Sequence, residues 1–329
     1  MDEEGFKTYL MDRKVSEETI SESIELVKRF ESFLQENFGE VVSVDTATED
    51  EANRFVRELI QEGTNSLKNL IAIARYGYFS KNQQLYISVL ELIDGSDVGE
   101  VLFEKIGEAV GDSQRTEIFG DIEIPPIGTP SKDKPKFTKA IMEQMESNLD
   151  ETTCQKILSS VAHGIPKEYY EKERAKFLEA GNVDEYLKKK REQNISTLEK
   201  HREEGTLFFN QEITDEVLKY VKSRPDVLTG ERRGDVIYHT KIPFLTHKYL
   251  KEKDPKMKRY YACHCAWARE TILQEDMEVS PTFCYCSGGF SKQPWEVAFD
   301  QDLEVRMIKS ALKGDMECAF EIPIPEKYR

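Results

Sequence analysis

Apolar residues recur at helical spacing through the first eighty positions. Ile20, Ile24, Val27, Phe30 and Leu34 fall three or four residues apart with charged residues between them, which predicts a long amphipathic helix with one buried stripe. Ser16 stands where that helix needs an N-cap. A second helix start is written as Thr48 with Glu51 three positions on, a capping-box pattern, ahead of Phe55, Val56, Leu59 and Ile60 and a stop at Gly63. Asn65 or Ser66 caps a third helix with Leu67, Leu70, Ile71 and Ala74 inward. The pattern predicts a compact helical bundle over residues 1–80.

From Gln83 to Gly111 the apolar positions Leu85, Val89, Leu92, Val101, Leu102 and Ile106 predict two more helices, interrupted by the turn Asp94-Gly95-Ser96-Asp97. Periodicity then stops. The stretch GDIEIPPIGTPSKDKPKF is rich in Pro and Gly and reads as a linker, so residues 81–135 form a helical extension plus linker and residues 136–329 a further domain. That domain begins with helices: Asp150 is an N-cap, Gly164 a stop, and Cys154, Ile157, Leu158 and Val161 share one face. Cys154 reads as a buried thiol, since free cysteine packs as a small hydrophobe, with a functional thiol as the alternative. Two charged helices broken at Gly181 follow, and the basic run Lys188 to Glu192 reads as a solvated helical face rather than a phosphate site.

The last hundred and twenty residues change character. GDVIYHTKIPFL, YYACHCA, TFCYCSG, LEVRMIKSAL and MECAFEIPI are enriched in β-branched and aromatic residues and read as strands, with Lys313-Gly314-Asp315 as the turn of a terminal hairpin. AWARETIL and SKQPWEVAF read as short helices between them. The expected fold class is α+β: an N-terminal all-α helical bundle followed by an α+β domain with an antiparallel sheet.

Composition narrows the function. With 39% hydrophobic and 33% charged residues the chain suits a soluble protein, and no apolar run reaches the roughly 18 residues of a membrane span. The acidic start MDEEGFKTYL lacks the basic and apolar regions of a signal peptide, so a cytoplasmic location with reduced cysteines is expected. The net charge of −16 argues against nucleic acid as a partner.

The segments FKTYLMDRKVSEETISESIELVKRFESFL and TATEDEANRFVRELIQEGTNSLKNLIAIARYGYF resemble the SAM-like core-binding domain that precedes the catalytic domain of tyrosine recombinases and phage integrases. That resemblance implies a DNA clamp. The catalytic His-x-x-Arg of the family is absent at all five histidines, His163, His201, His239, His247 and His264. Residues 1–80 carry nine Lys or Arg against seventeen Asp or Glu, a net of −8, a poor surface for a phosphate backbone. The bundle is therefore expected to bind a protein partner or a second copy of the chain.

The ending EVRMIKSALKGDMECAFEIPIP, with CYCSGGFSKQPWEV upstream, looks like the vinyl-reductase-type ligand-binding domain and the related aminothiazoline-carboxylate hydrolase-like family. The resemblance implies a small-molecule sensor or a hydrolase. Some such sensors hold a structural zinc. By that pattern Cys318 is the late cysteine, but Ser310 and Met307 stand where a Cys and a Glu are required, so that zinc site is not intact.

The chemistry rests on two Cys-x-Cys pairs. On strands, Cys263 and Cys265 would share one face, and so would Cys284 and Cys286; with the two strands paired in register the four sulfurs cluster on one face, where Cys318 could join them. Four readings stay open: small buried side chains, a site for zinc or another thiophilic metal, a catalytic thiol helped by His264, His239, His247 or Arg269, and a redox sensor. Gly288 and Gly289 would supply the bend that a metal site needs. The leading expectation is a small-molecule- or metal-binding regulator, the alternative a Cys- or His-dependent hydrolase of a small cyclic or amide substrate, and a weaker one a DNA-associated protein.

Overall fold

The computed structural model describes residues 1–39, 42–274 and 276–329. The chain divides into two units, one of residues Met1–Ser96 with Pro125–Asp133, the other of Asp97–Ile124 with Lys134–Arg329. The fold class is α+β, as expected. Among the described residues no helix is long and apolar enough to cross a membrane.

The first unit is all helical: α1 Glu3–Asp12, α2 Glu17–Phe38, α3 Glu49–Gln61, α4 Leu67–Phe79 and α5 Gln83–Ile93. Local chemistry sets each start. The Ser16 side chain accepts from the Thr19 amide, Ser66 from Asn69 and Asn82 from Leu85, and Thr48 with Glu51 forms the full reciprocal capping box. Gly63, at φ 70°, follows the end of α3 in the left-handed conformation that glycine adopts without strain. The inward stripe of α2 (Ile20, Ile24, Val27, Phe30, Leu34) packs in one core with Phe55, Val56 and Leu59 of α3 and Leu70 of α4. Phe30 stacks on Phe55 at 4.6 Å between ring centroids.

The middle of the Pro/Gly-rich stretch expected to be a linker, Pro125–Asp133, is packed within this unit. Asn65 Nδ2 donates to the Ile127 carbonyl at 2.8 Å, Ile127 packs against the core, and a Cβ on Gly128 would stand 2.6 Å from the Val56 side chain. The chain thus passes between the units three times, and the division differs from 1–80, 81–135 and 136–329.

The second unit contains α6 Val98–Val110, α7 Asp112–Phe119, α8 Lys134–Asn148, α9 Glu151–Val161, α10 Lys172–Ala180, α11 Val183–Glu204 and α12 Asp215–Ser223. After strands β1 Glu231–Arg233 and β2 Val236–Thr240 come α13 Thr246–Lys251, α14 Pro255–Ala262 and α15 Tyr285–Phe299, then β3 Arg306–Lys309 and β4 Ala319–Pro323. The strands form one antiparallel sheet in the order β1-β2-β4-β3, with His239 opposite Phe320. Gly314, at φ 100°, turns the chain between β3 and β4 as the sequence predicts.

Two expected strands do not form. YYA closes α14, which starts with Asp254 accepting from the Met257 amide and Pro255 in the first turn; CHCA follows it as a connection. TFC is a short 3-10 helix, Pro281–Cys284, that runs directly into α15. The expected short helix SKQPWEVAF is therefore the end of a fifteen-residue one. Gly288 and Gly289 sit inside α15 and make no bend. A Cβ on Gly289 would stand 2.1 Å from the Ser159 carbonyl oxygen of α9, and one on Gly288 3.3 Å from the Phe320 ring of β4. The glycine pair lets α15 lie tightly against both a helix and the sheet.

Candidate functional site

All six cysteines are free and buried. Cys154, Cys263, Cys265, Cys286 and Cys318 belong to the hydrophobic core of the second unit, together with Trp267, Trp295 and Phe320. Ser310 Oγ donates to Cys284 Sγ at 3.1 Å, and the Ala311 amide to Cys318 Sγ at 3.5 Å. Cys154 donates from its sulfur to the Met145 carbonyl at 3.6 Å. Burial pushes the thiols of Cys154, Cys263 and Cys286 up to about 11 and that of Cys318 to about 12, and holds Cys284 well above the ordinary range. These sulfurs stay protonated near neutrality and are weak nucleophiles.

The extended Cys-x-Cys faces do not exist, because neither segment is a strand. Among the described residues no three His, Cys, Asp or Glu side chains stand within reach of one metal ion. The remaining candidates are dispersed. His239 lies on β2, with Nε2 3.3 Å from the Leu228 carbonyl, and burial lowers it to about 4. His247 lies on α13, and Arg269 is buried with its guanidinium 4.2 Å above the Phe244 ring.

A different group gathers on the other side of Cys286. The Cys286 sulfur accepts the His163 amide at 3.2 Å. His163 Nε2 lies 2.9 Å from Ser287 Oγ, and Lys241 Nζ lies 3.3 Å from each of them. Lys241 and Ser287 are both 8% exposed. The Lys241 ammonium also sits 5.1 Å from the Phe290 ring centroid, and the His163 ring meets Phe290 edge-on. His264 completes the surround: it donates from Nε2 to the Ile242 carbonyl at 2.5 Å and packs on Phe244.

Electrostatics fix the protonation of the two imidazoles. Burial, and next the nearby Lys241 ammonium, hold His163 well below the ordinary histidine range and His264 at about 3. Both imidazoles are neutral at pH 7. Among the described residues Lys241 has no carboxylate partner; its neighbours are a neutral imidazole, a hydroxyl and a ring.

His163 is held by an unusual backbone. Ala162 and His163 both take the left-handed conformation, at φ 47° and 60°, and Gly164 continues it at 75°. Consecutive non-glycine residues at positive φ carry strain that the surroundings must maintain, and such strain concentrates at functional sites. Here Gln293 Nε2 holds the following Ile165 carbonyl at 2.8 Å. Of the expected site residues, Cys286 and His264 adjoin this group, and the Cys318 carbonyl accepts the Lys241 amide at 2.9 Å. His163, Lys241 and Ser287 were not singled out from the sequence, where the only signals are Gly164 after the histidine and the Ser-Gly-Gly at the start of α15.

A cleft of about 930 Å3 opens on the opposite face of α15, lined by Lys156, Lys167, Lys292, Gln293, Glu296 and Arg306 among others. Two of its cations are already paired: Lys292 binds the buried Glu296 at 2.7 Å, and Lys167 binds Glu296 at 2.9 Å and Asp302 at 2.7 Å.

Residues 4–83 match the family model of the phage integrase N-terminal SAM-like domain. No curated protein and no solved structure matches the chain. The match covers the helices of the first unit from α1 to the start of α5, and the vinyl-reductase-type resemblance of the last residues gains no support from these comparisons.

Proposed function

We propose that the second unit binds a small organic anion, an aliphatic or aromatic carboxylate, against Lys241, and that the first unit docks a protein partner. One observation carries the binding reading: an ammonium group 8% exposed whose described neighbours are all neutral. An unpaired buried ion costs several kcal/mol after relaxation, and a bound carboxylate offsets that cost with charge-assisted hydrogen bonds. The Phe290 and Phe244 rings beside His163 and His264 supply an apolar surround for the rest of such a ligand.

The test is a melting series with formate, acetate, propionate, benzoate and phosphate, alongside native mass spectrometry of the purified protein. A ligand at a hundred times its dissociation constant stabilises by about 2.7 kcal/mol. Lys241→Met removes an unpaired charge, so the variant should melt higher than the wild type without ligand and no longer respond to carboxylate. A lower melting temperature with an unchanged carboxylate response would sink the reading.

For the first unit, the supporting feature is the pairing of its cations. Arg29 binds Glu58 and Glu62, Arg54 binds Asp50, Arg57 binds Asp133, and Lys28 and Lys68 bind Glu3 and Glu22. Cations engaged in this way are poorly available to phosphate. The integrase-type match favours a second reading, DNA association, which a gel shift of duplex DNA at submicromolar protein across a salt series tests: a salt-sensitive shift supports it, and its absence supports protein docking.

A further inference from the structure

The group around Lys241 has the parts of a nucleophilic site. Ser287 Oγ is 2.9 Å from an imidazole nitrogen and 3.3 Å from an ammonium. A neutral imidazole with Nε2 unprotonated offers one lone pair there. Lys241 has donors only, so the chain of bonds that satisfies all three groups runs from Lys241 to Ser287 and from Ser287 to His163. In that chain the hydroxyl proton points at a base while a cation stands beside the oxygen that would become an alkoxide. The cation favours the alkoxide of a serine that is a weak nucleophile at its free pKa; standing 3.3 Å from Nε2 as well, it lowers the basicity of His163, so the imidazole mainly orients the hydroxyl and relays its proton.

The backbone supports this assignment independently. Ala162 and His163 hold left-handed conformations, and the His163 amide is tied to Cys286 Sγ, the residue next to Ser287. Base and hydroxyl are thereby fixed to each other through one contact of backbone and one of side chain.

We propose that Ser287 is an acyl-accepting nucleophile, with His163 as its general base and Lys241 as the cation that steadies the alkoxide, acting on small uncharged esters. The proposal rests on the reading of the same group of side chains as a carboxylate site, because the acid released by such a hydrolysis is the class of anion that Lys241 would hold. In the first half, Ser287 Oγ gives its proton to His163 Nε2 and bonds to the carbonyl carbon. The carbon–oxygen bond to the alcohol then breaks, and the alcohol leaves with the proton from Nε2. In the second half, water attacks the acyl-serine and passes a proton to Nε2, the acyl–oxygen bond breaks, and Ser287 recovers that proton as the carboxylic acid departs and ionises. Ester and water become acid and alcohol, with no other reactant.

The probe is p-nitrophenyl acetate with the full-length protein, following p-nitrophenol release and mapping the acetyl group by peptide mass spectrometry. The expected result is an initial burst with one acetyl group on Ser287. His163→Gln should slow acylation by about 100-fold or more, the range for loss of a general base. Ser287→Ala should abolish the burst, and Ser287→Cys, which keeps a nucleophile at the same place, should move the adduct to the new sulfur and guards against misfolding of the alanine variant. Equal rates in wild type and Ser287→Ala, or acetyl groups only on surface lysines and tyrosines, would overturn the proposal. Acetate binding measured by calorimetry on the same samples separates the two readings: Lys241-dependent binding without acylation overturns the nucleophile alone, and loss of both overturns the carboxylate site as well.

Discussion

In the first unit Asp2, Ser16, Thr48, Ser66 and Asn82 each accept an amide proton at the start of their own helix, and the buried side chains with polar atoms among its described residues are Ser23, Ser88 and Tyr76, all uncharged. The second unit buries Lys134, Glu173, Asp226, His239, Lys241, Arg269 and Glu296. Some are paired: Asp226 binds Arg224 and Thr240, and Glu173 binds Lys176, Lys190 and Tyr186. Among the described residues Lys241 is not paired with a carboxylate. Polar groups kept inside a core cost stability unless they are satisfied, so an arrangement that retains a cation among neutral groups points to use rather than to folding. On the proposed reading, chemistry belongs to the second unit and scaffold to the first.

The largest expected contrast is with pH. All five histidines lie in the second unit, and His163, His239 and His264 have folded pKa values below that of the unfolded chain. Between about pH 6.5 and about 4 the unfolded chain binds these protons and the folded unit does not. Stability therefore rises with pH through that window and levels off above it, by up to about 1.4 kcal/mol per pH unit for each histidine. Both tryptophans, Trp267 and Trp295, are also in this unit, so tryptophan fluorescence during urea unfolding reports on it. The midpoint should fall steadily from pH 7 to 4.5, and a flat profile would show that these imidazoles titrate normally.

Glycines sharpen the comparison at the next level. Gly77 of α4 and Gly289 of α15 each lie against another backbone, but an added Cβ would stand 2.9 Å from the Tyr86 nitrogen in one case and 2.1 Å from the Ser159 oxygen in the other. Alanine gains about 1 kcal/mol of helix propensity at either place. Overpacking costs typically 1–3 kcal/mol and occasionally more. Gly289→Ala should therefore destabilise by about 3 kcal/mol and Gly77→Ala by about 1 or less, read from denaturant midpoints. Equal losses would mean that α9 and α15 can move apart freely.

The buried sulfurs come next. Cys265→Ser and Cys286→Ser each place a hydroxyl in the core, at a cost of about 1–3 kcal/mol, and the thiols of the native protein should react slowly with a disulfide reagent because burial keeps them protonated. Fast stoichiometric reaction of four thiols in folded protein would contradict this packing.

What the sequence disclosed follows from the range of each interaction. Caps and apolar stripes act over three or four residues, so Ser16, Thr48 and Glu51, Asp150 and the stripe of α2 were legible, as was the β3–β4 turn at Gly314. The Cys-x-Cys segments were misread because alternating Cys with aromatic or His residues imitates a strand over so short a run. Start signals that outweigh the alternation, Asp254-Pro255 and Ser280-Pro281, lie just upstream. The Lys241 group could not be read at all, since its contacts join positions 46, 78 and 124 residues apart and only the tertiary fold brings them together.

The smallest expected effect lies at the start of α3. Thr48 Oγ1 accepts the Glu51 amide at 3.4 Å, while Glu51 Oε2 accepts the Thr48 amide at 2.7 Å and its hydroxyl at 2.9 Å. Thr48→Ala removes the hydroxyl but leaves the Glu51 carboxylate on the amide, so about 1 kcal/mol of stability should be lost, the usual worth of an N-cap. All of these groups are exposed, and the loss should appear in the helical circular dichroism signal while the tryptophan transition of the second unit keeps its midpoint. A shift of both signals by the same amount would show that the two units unfold together, and the contrast between scaffold and site would then hold for chemistry but not for stability.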